Sequence, residues 1–96
     1  MIRNFKHKGL RLLYEDGNRK GINPDHVRKL RQILAVLDVA LTIDALRLPA
    51  FDLHALKGDR QGVWSVKVHG NWRLTFRFED GEASDIDYED YHEGHH

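Results

Sequence analysis

The sequence predicts an α+β fold in which N-terminal helices pack on a small, mainly antiparallel β-sheet. Two observations carry this. Apolar residues recur at helical spacing in the first half, and they alternate with polar ones in the stretch "GVWSVKVHGNWRLTFRFEDGEASDIDY". A third is that Gly70-Asn71 and Asp80-Gly81 interrupt the alternating stretch with residues that tolerate the positive φ of tight hairpins.

Taken in order, "MIRNF" is short and open to two readings, a leading strand or the approach to a helix. Leu10, Leu13 and Tyr14 keep helical spacing between Lys8 and Asp16, and Gly17 is a fitting stop. "DGNRKG" reads as a loop. Asn23 is an N-cap, Pro24 suits the first helical position and Asp25 the first turn. Val27, Leu30, Leu34, Leu37 and Leu41 then place a helix from about Pro24 to Ala40. Thr42 is the expected cap of a short turn through Leu46, closed by Pro49. A three-stranded meander follows, its core face expected to carry Trp64, Val66 and Val68, then Trp72, Leu74, Phe76 and Phe78, then Ile86 and Tyr88.

With 96 residues the chain is large enough for one modest core, so residues 1–92 are expected to form one domain. The final "EGHH" reads as a tail over 93–96, partly an expression remnant. A hydrophobic content of 41% and a charged content of 31% are those of a folded soluble protein. The absence of cysteine excludes a disulfide framework, a thiolate metal site and a cysteine nucleophile. No apolar run is long enough to cross a bilayer and the first residues lack a signal-peptide core, so a cytoplasmic address is the expectation. Net charge is zero, yet residues 1–48 hold ten Lys and Arg against five Asp and Glu, and residues 49–96 the reverse. A basic half suits a polyanion, although solvated helix faces account for it equally well.

The expected outer face of the meander carries Ser65, Lys67, Arg73, Thr75 and Arg77. Arginine's planar fork suits phosphate, so this face is a possible anion platform; its plain alternative is sheet surface with Asp85 and Asp87 as ion-pair partners. The loop "HALKGDRQG" adds His54, Lys57 and Arg60, and the chain's last strand ends on Asp90, Tyr91 and His92. Two imidazoles with cations between them supply what metal-independent RNA cleavage needs. One group takes the proton of a 2′-hydroxyl, and another protonates the leaving 5′-oxygen. Each residue also has an ordinary role open to it: His54 as surface, Asp90 as a backbone acceptor, Tyr91 as an edge aromatic. Nothing in "HEGHH" enforces a ligand geometry, so neither metal nor cofactor is expected.

"FKHKGLRLLYEDG", "LHALKGDRQGVWSVKV", "NWRLTFRF" and "YEDYH", in this order across residues 1–92, resemble the HigB branch of the RelE-like toxins of bacterial toxin–antitoxin systems. The resemblance implies a microbial-RNase-like, RelE-type fold. It also implies a ribosome-dependent messenger RNA endonuclease that acts on the codon in the decoding site. His54 and His92 match the family's catalytic histidines, Asp90 and Tyr91 its other active-site residues, Arg73 a cation at the scissile phosphate and Lys57 an RNA contact. On this reading Asp90 or His54 is the base, His92 the acid or a phosphate contact, and Tyr91 packs against a base. Arg60, Lys67 and Arg77 are further RNA-binding candidates, and Lys6, Lys8, Arg11, Arg19 and Lys20 are candidate ribosome contacts. The implied partners are messenger RNA, the ribosome and a helix-turn-helix antitoxin of the HigA type, with operator DNA reached only through the antitoxin complex and no membrane. The competing expectation is a protein-interaction or transcription-regulatory module with a toxin-like fold and no cleavage activity.

Overall fold

The computed structural model describes residues 1–91; His92 and the tail read as 93–96 lie outside the described residues. The order is helix α1 (Lys8–Asp16), a 3₁₀ turn (Pro24–His26) running into helix α2 (Val27–Val39), two more short turns, strand β1 (His54–Ala55), a further 3₁₀ turn (Gly58–Arg60), and strands β2 (Val63–His69), β3 (Trp72–Glu79) and β4 (Glu82–Asp90). The strands form one antiparallel sheet in the order β1-β2-β3-β4.

Local chemistry explains where each helix begins and ends. The His7 imidazole accepts the Leu10 N–H at the start of α1. At its end Gly17 takes φ +70°, the left-handed value that lets the chain turn away. Gly9 is needed for another reason: a Cβ there would stand 2.8 Å from the Gly21 carbonyl oxygen, so the loop after α1 rests directly on helix backbone. Asn23 caps as its sequence position predicts, its side-chain oxygen accepting the Asp25 N–H at 2.9 Å. The first turn after Pro24 is 3₁₀ rather than α.

Two expectations at the end of α2 require correction. The helix stops at Val39 because Ala40 turns extended, so Leu41 leaves the apolar stripe and is 84% exposed. Ile33 joins Leu30, Leu34 and Leu37 in the core instead. The turn Ile43–Leu46 forms, yet the Thr42 side chain makes no capping bond; its carbonyl accepts the Ala45 N–H.

The meander has the expected strands, with Asp80 and Gly81 both at positive φ in the second hairpin. The expected core face is in place: Val66, Val68, Leu74, Phe76, Ile86 and Tyr88 are buried, and Trp64, Trp72 and Phe78 pack partly buried against them. Ala83 also faces the core although it lies three residues from Ile86, an odd step for a strand. Asp85, at φ +50°, absorbs the extra residue as a bulge, where the pairing of β3 with β4 shifts. The sheet is also wider than three strands. β1 pairs with β2 inside what the sequence suggested was a loop. At the other edge the first residues run parallel to β4 through bridges Ile2–Ala83 and Phe5–Ile86, which resolves "MIRNF" as a strand-like segment.

One polar pair is buried on the core side. His26, 2% exposed, shares a hydrogen bond between Nδ1 and the Tyr88 hydroxyl, and Trp72, His69 and His7 surround the two rings. Burial pushes the His26 imidazole below its usual pKa, with His69 adding to the effect, so the buried ring favours its neutral form.

Candidate active site

The two-residue period of a strand sorts the polar residues of β3 and β4. Leu74 and Tyr88 point into the core, so Arg73, Thr75 and Glu89 point out. This outer face is not the open platform that the sequence suggested, for Ser65 and Thr75 are each 1% exposed beneath charged side chains. Two clusters cover them.

The first is a closed clasp. Arg60 donates two bonds to Glu89, both 2.8 Å, in the planar fork-to-fork geometry of guanidinium and carboxylate. Thr75 donates its hydroxyl to the same carboxylate at 2.7 Å. The Arg60 bonds hold the Glu89 carboxyl below the ordinary range against the effect of burial, and the Thr75 bond adds to them. Close by, Arg77 Nε lies 3.8 Å from Asp85, as the sequence allowed.

The second cluster is anchored by Arg73, whose side chain is 12% exposed. Its Nε donates to Ser65 Oγ at 2.8 Å, one terminal nitrogen reaches the Asp52 and Ser65 carbonyls, and the other lies 3.4 Å from the Asp52 carboxylate. Asp52 sits at φ +46° just before β1, which aims its other oxygen at His54 Nε2, 3.1 Å away. Burial pushes the Asp52 carboxyl up, but His54 and the Arg73 guanidinium more than offset this and leave it below the usual carboxylate range. The His54 side chain remains 56% exposed.

Beside this cluster lies a hollow of ≈ 440 Å³, lined among others by His54, Lys57, Arg73, Asn71 and Tyr91. Such a volume is within the ~300–1,000 Å³ of small-ligand sites. Pairing with Ser65 places His54, the turn of β1 away from the sheet places Lys57, and β3 supplies Arg73. Tyr91 arrives because its N–H donates to the Asn71 carbonyl at 2.8 Å, which pins the chain after β4 to the β2–β3 hairpin.

Four residues singled out from sequence therefore converge, while others do not. Asp90 stands opposite Trp72 at the end of β4 and is not among the residues lining the hollow. Arg60 and Arg77 line a second depression with Lys6 rather than this hollow. Lys67 is exposed on β2. Lys8, Arg19 and Lys20 are exposed on the helical side, and Arg11 pairs with Glu15 at 3.2 Å. His92 lies outside the described residues.

Sequence reasoning missed Asp52 and Glu89. Glu89 was readable: once Tyr88 is taken as core, alternation puts Glu89 and Tyr91 on the outer face and Asp90 on the Tyr88 face, where it is exposed at the end of the strand. Asp52 gave no comparable signal, because its role depends on a left-handed backbone and on Arg73 across the sheet.

Residues 3–92 match the family described as RelE-like toxin of type II toxin–antitoxin system HigB. The chain is 47% identical over 92 residues to an endoribonuclease HigB of Proteus vulgaris, covering 96% of this chain and all of that protein. It is 34% identical over 85 residues to toxin HigB-1 of Vibrio cholerae serotype O1, covering 86% of this chain and 90% of that one. Among solved structures, YafQ from Escherichia coli aligns over 92% of this chain and 89% of its own, with a TM-score of 0.60 at 18% identity. A chain of the YoeB-YefM complex from Staphylococcus aureus aligns over 93% and 98%, with a TM-score of 0.57 at 15% identity. At such identities these two structures speak for the fold. The sequence matches establish that the chain belongs to the HigB family of RelE-like toxins of type II toxin–antitoxin systems.

Proposed function

We propose that this toxin is an endoribonuclease that cleaves messenger RNA in the decoding site of the ribosome and so stops translation. The observation that carries the reading is the convergence of His54, Lys57, Arg73 and Tyr91 on one hollow in a chain of this family. The chemistry is an in-line transesterification. A base removes the 2′-hydroxyl proton, that oxygen bonds to phosphorus, the P–O5′ bond breaks, and an acid returns a proton to the leaving oxygen. Of the two candidate bases His54 comes first, because it lines the hollow and Asp90 does not. His92, next in sequence after Tyr91, is the acid or a phosphate contact. Arg73 and Lys57 offset the charge that builds on the phosphoryl oxygens, and Tyr91 offers a ring for a base to stack on. Lys67, Arg60 and Arg77 extend the cationic path, the latter two after exchanging a carboxylate for phosphate.

A shallow surface has few groups with which to orient RNA, and alignment of the attacking and leaving oxygens accounts for much of such catalysis. The ribosome supplies that alignment, with Lys6, Lys8, Arg11, Arg19 and Lys20 as contacts to ribosomal RNA. Membership of a toxin–antitoxin family means that an antitoxin is the partner. We assign it to the helix-turn-helix HigA type, which brings the toxin to operator DNA within the complex.

Primer extension on a defined messenger in programmed ribosomes tests this reading. Wild-type protein is expected to cut within the decoding-site codon and His92→Ala to leave it intact, while free RNA survives. Equal cutting by His92→Ala, or no cut by folded wild type, would overturn it.

A further inference from the structure

Two side-chain bonds meet on Asp52, a residue that neither the composition nor the family resemblance singles out. Its Oδ1 lies 3.1 Å from His54 Nε2, and its Oδ2 lies 3.4 Å from the Arg73 guanidinium. Its main-chain carbonyl is also tied to Arg73, so the residue is held from both its backbone and its side chain. The backbone is left-handed, φ +46°, a conformation that Asp and Asn adopt more readily than most residues. A carboxylate can only accept, so His54 must donate through Nε2–H. The neutral ring then carries its lone pair on Nδ1.

We infer that Asp52 is a positioning residue for the cleavage reaction, its carboxylate holding the His54 imidazole by Nε2–H so that Nδ1 is the atom that takes the 2′-hydroxyl proton. The inference rests on the reading of His54 as the base. The carboxylate does two things at once. It fixes the ring on an exposed side chain that would otherwise rotate, and it faces the positive charge that the ring acquires when the proton arrives. Arg73 takes part from the other side by fixing Asp52. Among the described residues, the other charged or titratable groups lining the hollow are Lys57 and Tyr91.

A double-mutant cycle on single-turnover cleavage in programmed ribosomes decides the matter. Asp52→Asn keeps the shape and suits the left-handed backbone while removing the charge. It is expected to slow cleavage about tenfold or more, up to the ~10²-fold that a misplacement of 1 Å costs. In the His54→Gln background the same change is expected to add nothing, because Asp52 acts through that ring. Multiplied losses, or a wild-type rate for Asp52→Asn, would overturn the inference while leaving His54 as base; full activity of His54→Gln would instead overturn the site reading beneath it. Carboxyl NMR gives an arm free of activity. The Asp52 titration is expected to move up in folded His54→Gln, and an unmoved midpoint would show that the two groups are not coupled.

Discussion

Two clusters that meet on the outer sheet face, where Arg73 stands opposite Glu89 and Ser65 opposite Thr75, are built from similar parts and differ in what they leave over. In one, Arg60, Glu89 and Thr75 satisfy one another, with Glu89 accepting three bonds. In the other, Arg73, Ser65 and Asp52 are tied together, but the chain of bonds ends on a half-exposed imidazole beside a hollow. A closed set of charges holds strands together. An open one holds a reactive group in place, which is why the second cluster is read as the active site and the first as its support.

The largest effect is expected where both roles meet. Arg73→Ala removes the anchor of Asp52 and strands the buried Ser65 hydroxyl, so we expect cleavage to fall by ~10² or more and stability to fall by about 1–3 kcal/mol. Urea denaturation beside the cleavage assay separates the two losses. If only stability changes, Arg73 belongs with the clasp and the contrast between the clusters is lost.

Glu89→Gln is the complementary case. The clasp is partly exposed, Arg60 by 39%, so the loss is expected to be about 1 kcal/mol. The cut in the decoding-site codon is expected to persist. The pH dependence follows from the sign of the shift. A carboxyl depressed in the folded state contributes its stability in full above the unfolded value of ~4.3 and loses it as pH falls through the lower folded value. Glu89→Gln should therefore flatten the acid limb of the stability curve, which thermal melts at stepped pH would record. His26 acts in another window. Its lowered pKa makes stability decline as pH drops from ~6.5 through the folded value, and Glu89→Gln should leave that part intact.

The smallest effect is expected away from both clusters. Lys20→Ala on the helical side should weaken ribosome association modestly and reduce the salt slope of binding by about one unit. An unchanged slope would remove Lys20 from the ribosome-facing set.

How much of this could be read from sequence depended on whether the cause was local. Asn23-Pro24 announces the start of the α2 region because capping is decided within a few residues. The Asp80-Gly81 hairpin is equally local. Leu41 misled because the helical stripe was carried one step past the point where Ala40 turns extended. The bulge at Asp85 was written in the unequal spacing of Ala83, Ile86 and Tyr88, although only the pairing with β3 gives that spacing a meaning. The pairing of the first residues with β4 joins positions some eighty apart and left no local sign. In the site, residue type left each candidate an ordinary role, and it was the family resemblance that selected His54, Lys57, Arg73 and Tyr91, which the fold brings to one hollow. The separation of Asp90 from Glu89 follows from strand alternation once Tyr88 is taken as core, whereas the part of Asp52 required the chain reversal that only the fold supplies.

The most direct test sets the two clusters against each other: decoding-site cleavage by His54→Gln and by Glu89→Gln at equal concentrations of folded protein. The account predicts that His54→Gln loses at least ~100-fold in rate while Glu89→Gln cuts at nearly the wild-type rate. Loss of cleavage in Glu89→Gln with His54→Gln still active would contradict it and move the active site to the clasp.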